Sequence, residues 1–257
     1  MKLLLGIPSA GAPARPFLDS LAHLQLPPAV ERLERAVITG NYIPAQRDLI
    51  VERALECGAD LLVMCDDDMV LPPGAIAGLC DALDADPRAA AAGALYYARD
   101  GFRPMAVDCW DSRDTRTAVV PGFAHDPVAV DGVGFGCVAI RTHVLRELMP
   151  PYFTAHIFIE RSAGRVRVCD EDYLFCERLR GAGYRVLLVP SVRCGHYDRQ
   201  SDSVVPREWE TPEATALARM AVINENGHML LVPAGQNTKE STPEAHVRAE
   251  LSYVVIP

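Results

Sequence analysis

The feature that most constrains this chain is a junction: five apolar residues, Leu61-Leu62-Val63-Met64-Cys65, run directly into three aspartates, Asp66-Asp67-Asp68. An apolar run of strand length without polar alternation suits a strand buried on both faces, and such strands belong to parallel sheets covered by helices on either side. The neighbouring sequence supplies those helices. Upstream, residues 46–57 carry Ile50, Ala54 and Cys57 at helical spacing, with Gly58 placed to end the helix. Downstream, Pro72-Pro73 opens a segment in which Ile76, Leu79, Cys80 and Leu83 repeat at i, i+3, i+4 and i+7. Ligands of open α/β sheets gather beyond the carboxyl ends of the strands, where the three aspartates stand.

The rest of the chain extends the pattern. Residues 3–8 read as a first strand stopped by Pro8, residues 36–40 as a second, and the segment around Phe17, Leu18, Leu21 and Leu24 as a helix ending before Pro27-Pro28. From 91 to 140 the runs are short and β-like (94–97, 105–107, 118–120, 128–130, 137–140), as in a mixed or antiparallel part of the sheet. Thr142 is expected to cap a helix reaching about 148, and Asp170 one that carries Tyr173, Leu174, Cys176 and Leu179, before a strand over 184–189. Beyond His196 the chain is polar through Ser203, then reads as a helix over 212–220 and strands over 229–232 and 253–256. The expected class is α/β: a mostly parallel, mixed sheet flanked by helices, with a C-terminal extension.

Composition narrows the function classes. The net charge of -9 and the absence of a basic run argue against nucleic acid as a partner. The longest apolar stretches are far shorter than the roughly 20 residues of a membrane helix, so no transmembrane segment is expected. The first residues read as a strand rather than a leader, which makes a cytoplasmic protein the expectation. The 8 cysteines are scattered without a C-x-x-C pair, so buried thiols are expected rather than a zinc knuckle or a disulfide framework. Gly132, Gly134 and Gly136 alternate without forming G-x-G-x-x-G at a first strand, and no P-loop is present, which disfavours dinucleotide oxidoreductases and P-loop enzymes.

Two acidic clusters can carry chemistry. Three carboxylates at a buried strand end repel one another and resist desolvation, and a divalent cation relieves both problems. A solvated acidic turn is the plainer alternative. Asp170-Glu171-Asp172 opens a helix, where unpaired N–H groups and the helix dipole stabilise carboxylates without any catalytic role.

The order of these pieces resembles the family 2 glycosyltransferases of the GT-A fold. The residues that carry the resemblance are 61–68 with Pro72-Pro73, similar to a strand-D-x-D segment, and Val130-Asp131-Gly132-Val133-Gly134-Phe135-Gly136-Cys137 leading to Arg141. Glu171-Asp172-Tyr173, the run from Arg178 to Tyr184 (R-L-R-G-A-G-Y), Pro190 and a late His196 complete it. The resemblance spans about residues 3–196. The triplet leaves the D-x-D frame open, with Asp66 and Asp68 the natural pair, and no Q-x-x-R-W follows His196, which disfavours a processive polysaccharide synthase.

The resemblance implies a GT-A catalytic domain over 1–199, with 200–257 a C-terminal extension serving as lid, acceptor-side or oligomerisation segment. It implies a metal-dependent transferase that moves sugar from a nucleoside-diphosphate sugar to a hydroxyl-bearing acceptor, with inversion at the anomeric carbon. Under it, Asp172 is the general base with Glu171 as alternative; Asp68 and His196, with Asp66, hold the metal; and Pro8, Ser9, Arg47, Asp66 and Asp67 border the nucleotide. Trp110, among polar neighbours, is an acceptor candidate against a core-anchoring alternative. The imidazole tilts the metal towards Mn²⁺ over Mg²⁺. The run after Tyr197 is expected to close over the donor, with Arg199 reaching a phosphate. A homo-oligomer is left open, as are two other functions: a nucleotide-sugar-binding protein without turnover, and a metal-assisted nucleotide-sugar hydrolase.

Overall fold

The structure, a computed structural model, describes residues 1–99, 101, 103–108, 117–118, 126–160, 165–206, 219–223 and 229–233. Its centre is a seven-stranded sheet of β1 (Lys2–Ser9), β2 (Arg32–Thr39), β3 (Leu61–Cys65), β5 (Ala89–Leu95), β8 (Val128–Val130), β10 (Cys137–Arg141) and β13 (Arg185–Arg193). The spatial order is β2-β1-β3-β10-β5-β13-β8. β1, β2 and β3 run parallel, β10 inserts antiparallel between β3 and β5, β13 is parallel to β5, and β8 closes the edge antiparallel. The mixed character therefore arises mid-chain, where the sequence turns to short β-like runs.

Both faces of this sheet are covered, as the unbroken apolar runs require. Leu3, Leu5, Val63 and Cys65 join Phe17 of α1 (Arg15–Ala22) and Ile76 and Leu79 of α3 (Ala75–Ala85) in one core. Leu4, Leu62 and Met64 point the other way, packing with Ile50, Val51 and Ala54 of α2 (Ile43–Glu56) and Phe175, Cys176 and Leu179 of α5 (Glu171–Gly181). The two-residue period of the strands sorts neighbouring side chains into the two layers. Gly58 ends α2 with φ +66, a backbone region open to glycine.

Smaller elements surround the carboxyl ends of the strands. β4 (Met69–Val70), β14 (Gly195–Asp198) and β15 (Ser203–Val205) make a three-stranded sheet in which His196 pairs with Met69. A second sheet combines β6 (Ala106–Asp108), β7 (Thr117–Ala118) and β9 (Gly132–Val133) with β16 (Arg219–Ile223) and β17 (Met229–Pro233). β11 (His156–Glu160) and β12 (Arg165–Cys169) form an antiparallel hairpin leading into α5.

Several local expectations need correction. Thr142 is the first residue of α4 (Thr142–Leu145) rather than its cap, its buried hydroxyl finds no hydrogen-bond partner among the described residues, and the helix stops short of 148. Asp170 sits at the N-cap of α5, but its side chain makes no capping hydrogen bond. The strand expected over 94–97 begins at Ala89, because buried alanines allow a tightly packed strand that β-propensity alone does not mark. The strand expected to stop at 189 continues past Pro190 through a register shift. Residues 219–220, expected as a helix end, belong to β16; residues 212–218 and the strand expected over 253–256 lie outside the described residues. The described cysteines are all free thiols, and every one but Cys57 is buried.

Candidate active site

β3 ends where its chain meets the turn Asp66-Asp67-Asp68, and the backbone fixes that turn from three sides. Asp66 N–H donates to the Gly136 carbonyl (3.0 Å), while the Asp67 carbonyl accepts from Ala14 N–H and the Asp68 carbonyl from Tyr197 N–H (both 2.8 Å). Tyr96 lies against the alternating glycines, its hydroxyl oxygen accepting from Gly136 N–H (3.1 Å). A Cβ at Gly134 would come within 2.1 Å of that hydroxyl, and one at Gly136 within 2.7 Å of the ring carbon bearing it. These glycines therefore serve the approach of an aromatic side chain rather than a phosphate turn.

The three aspartates point to three different partners. Asp66 receives Arg47, whose Nη2 donates to Oδ1 (3.0 Å) and Oδ2 (3.3 Å). Asp67 receives the Ser9 hydroxyl (2.5 Å), and Ser9 Oγ in turn accepts from Gly11 N–H (3.0 Å). Asp68 meets Arg99 and His196 at a single oxygen, Oδ2, with His196 Nε2 at 3.4 Å. His196 Nδ1 is 2.9 Å from the Tyr97 carbonyl, an acceptor only, so Nδ1 carries the hydrogen and Nε2 is the nitrogen presented to Asp68.

Arg47 is 3% exposed and joins the first acidic cluster to the second. Its Nη1 donates to Glu171 Oε1 (2.7 Å) on the first turn of α5, and its guanidinium carbon stands 5.4 Å from the centroid of Phe135. Phe135 packs edge-on to Phe153 and Phe175, which stack on each other 4.6 Å apart. The Phe153 segment is pinned by Asp48, which accepts from Tyr152 and Phe153 N–H (2.9 and 2.8 Å), and by Arg178, which donates to the Pro151 (2.5 Å) and Tyr152 (2.8 Å) carbonyls. Burial opposes the charge on Arg47, but Asp66, Glu171 and Asp172 outweigh it and hold the guanidinium ionised above its ordinary range. Among the described residues its Nε has no hydrogen-bond partner.

The carboxylates respond unequally. Burial pushes Asp172, 7% exposed, up to about 7; Arg47 opposes this and the neighbouring charge of Glu171 adds to it. Asp172 Oδ1 accepts from Tyr173 N–H (2.8 Å) at the start of α5. Burial also raises Asp66, against the pull of Arg47. Asp68, 6% exposed, goes the other way: burial works to raise it, but hydrogen bonds and charge from His196 and Arg99 bring it below its ordinary value. His196 is raised in turn, Asp68 overcoming the effect of burial.

One cleft of about 890 Å³ gathers these groups. Pro8, Arg47, Asp66, Asp67, Asp68, Glu171, Asp172 and His196 all line it, together with Arg199. Ser9 does not line it; it is 1% exposed and is tied to it through Asp67. Trp110 lies outside the described residues. Tyr96, Arg99, Arg103 and Met105 also line the cleft, and nothing in the sequence marks them as site residues: Tyr96 and Met105 fall in runs that read as strands, Arg99 and Arg103 between those runs. The polar segment after His196 is part of a β-hairpin: Asp198 accepts from Gln200 and Ser201 N–H (3.1 and 3.2 Å), Tyr197 donates to Asp202 (2.5 Å), and Arg199 donates to the Ala12 carbonyl. Among the described residues no three His, Cys, Asp or Glu side chains converge as a metal cluster, and Asp66 accepts hydrogen bonds from Arg47. A second cavity, of about 590 Å³, lies elsewhere and includes Asp60, Cys80, Arg141 and His143. No helix among the described residues is long and apolar enough to cross a membrane.

Among solved structures, A197 from STIV superposes with a TM-score of 0.55 at 16% identity, covering 90% of this chain and 94% of its own. GalNAc-T7 with UDP, GalNAc and Mn²⁺ superposes with a TM-score of 0.53 at 14% identity, over 76% of this chain and 43% of its own. These likenesses show the GT-A fold, a mixed, mostly parallel α/β sheet flanked by helices. No curated protein matches the sequence. The family model described as "Glycosyltransferase like family 2" matches residues 37–213, which contain Arg47, the aspartate turn, the α5 acids and His196, and the chain belongs to that family.

Proposed function

We propose that the cleft takes a nucleoside-diphosphate sugar with a divalent cation and transfers the sugar to an acceptor hydroxyl by direct displacement, inverting the anomeric carbon. The observation that carries this reading is the separation of two kinds of group in one cleft: an Asp–His pair formed between the turn after β3 and β14, and a buried carboxyl with a pKa near neutrality at the start of α5.

The residues present fit a metal. Asp68 Oδ2 and His196 Nε2 face each other at 3.4 Å, and the imidazole is oriented by the Tyr97 carbonyl. Two protein ligands suit a cation that completes its shell with diphosphate oxygens and water, and the nitrogen ligand favours Mn²⁺ over Mg²⁺. A cation bound there supplies charge neutralisation for the departing diphosphate. Asp66 and Asp67 lie on the nucleotide side: Asp67 is steadied by Ser9, and Asp66 fixes Arg47. Pro8 forms part of the same wall.

Asp172 accepts the proton of the attacking hydroxyl. A carboxyl raised to about 7 is a stronger base than an ordinary one and is still half ionised near neutral pH. Glu171 is committed to Arg47 at 2.7 Å, which leaves Asp172 the freer of the two. Residues 200–257 act on the acceptor side or in self-association, and Trp110 remains an acceptor contact.

The test is a panel of nucleoside-diphosphate sugars, each with and without Mn²⁺, read first by thermal shift and then by product analysis. A ligand at 100 times its dissociation constant adds about 2.7 kcal/mol to folding stability, so the matching donor with Mn²⁺ raises the melting temperature clearly. Transfer to an added acceptor supports the reading, free sugar alone makes the protein a hydrolase, and binding without turnover makes it a binding protein. No shift with any donor would contradict all three.

A further inference from the structure

Arg99 stands on a tight turn at the cleft. Tyr97 and Pro104 bridge across it, Ala98 N–H donates to the Arg103 carbonyl (2.8 Å), and Gly101 N–H to the Ala98 carbonyl (2.8 Å). From there the guanidinium Nη2 donates to Asp68 Oδ2, the same oxygen that His196 Nε2 faces. The carboxylate oxygen offered to a metal therefore already carries a cation. The two partners differ in how firmly they are held: the Asp68 side chain is 8% exposed, whereas that of Arg99 is 57% exposed.

We propose that Arg99 is the resident counter-cation of Asp68 in the donor-free protein, that a divalent cation displaces it, and that the displaced guanidinium turns to the diphosphate of the donor. This rests on the reading of Asp68 as a metal ligand. Two cations on one carboxylate oxygen repel each other, so the more mobile one leaves. The donor then brings two phosphate groups into a cleft that Arg99 already lines, and a guanidinium matches phosphate oxygens in paired hydrogen bonds. Metal and diphosphate are coupled as a result: the metal frees the arginine, and the arginine binds what the metal binds.

The coupling has a signature that a simple ligand-holding role lacks. With the exposed arginine removed, Mn²⁺ alone binds more tightly because it no longer competes, while a diphosphate binds more weakly because it loses a donor. The experiment uses the whole protein and three forms of it: unaltered, Arg99→Ala and Asp68→Ala. Mn²⁺ is titrated and the free ion followed by electron paramagnetic resonance; micromolar inorganic pyrophosphate is then titrated calorimetrically at saturating Mn²⁺. The expected result for Arg99→Ala is Mn²⁺ about threefold to fivefold tighter, the scale of an exposed ion pair, and pyrophosphate weaker by a similar factor. Mn²⁺ affinity unchanged or reduced in Arg99→Ala, or pyrophosphate affinity unchanged, would overturn the exchange while leaving the metal site standing. Unaltered Mn²⁺ affinity in Asp68→Ala would overturn the metal site, and the exchange with it.

Discussion

Asp66 and Asp68 stand two residues apart on one turn, and their surroundings drive them in opposite directions. Asp66, its side chain 33% exposed, belongs with Glu171 and Asp172 to an inner group gathered on the buried Arg47, where Asp66 and Asp172 titrate higher than usual and a single guanidinium holds the carboxylates together. Asp68 belongs to an outer group with His196 and Arg99, where partners outweigh burial and the carboxyl stays ionised. Under the proposed function, the difference separates two chemical tasks that both need a carboxylate. A group poised to take a proton gains from desolvation, and a group meant to hold a cation gains from staying charged.

The sharpest way to break this division is to neutralise its basic member. Asp172→Asn should lower transfer by about 10²- to 10⁴-fold, the range for a lost general base, with donor affinity retained. In the unaltered enzyme, kcat/KM should fall as pH drops below about 7, where Asp172 takes up its proton. A full rate in the Asn variant would reduce Asp172 to a helix-terminal charge.

Next in size is the guanidinium that holds the inner group. Arg47→Met leaves Asp66 and Glu171 without their buried partner, and removing one member of a buried ion pair costs about 3 to 5 kcal/mol. Urea denaturation should show that loss, with Arg47→Lys recovering part of it. A loss under about 1 kcal/mol, ordinary for an exposed pair, would mean the inner group is wetter than its burial indicates.

The outer group should respond in metal affinity. His196→Ala should weaken Mn²⁺ binding at least about tenfold, the lower end of what disturbing even an outer partner of a metal costs. Unaltered affinity would remove the imidazole from the site.

The smallest effect is on stability. A carboxyl whose folded pKa lies above its unfolded value binds its proton more tightly in the native state. Its contribution to stability is therefore greatest below the unfolded value near 3.8 and is lost as pH rises towards 7. Asp172→Asn should raise the melting temperature by about 4 °C at pH 8 and leave it nearly unchanged at pH 4. A gain at both pH values would point to packing rather than charge.

The sequence disclosed the central strands because burial on both faces leaves a one-dimensional trace: the run at 61–65 matches β3 residue for residue, and 128–130 matches β8. The same logic hid β5, whose alanines carry little β-signal, whereas the β11–β12 hairpin does leave a trace, the two-residue alternation R-V-R-V-C at 165–169, without an unbroken apolar run. The acids and His196 were visible as types in order, yet their partners were not. Arg47 lies 19 residues from Asp66 and 124 from Glu171, separations at which only the fold can bring a cation to two acids. Arg99 carried no signal at all until the turn at Tyr97 and Pro104 set it over Asp68.

The most direct test of the division is one calorimetric experiment on two variants, Asp172→Asn and Asp68→Ala, each titrated with the matching nucleoside-diphosphate sugar at saturating Mn²⁺. The division requires Asp172→Asn to bind the donor as the unaltered protein does, and Asp68→Ala to lose the Mn²⁺-dependent part of that binding. Equal weakening in both variants, or none in Asp68→Ala, would contradict it.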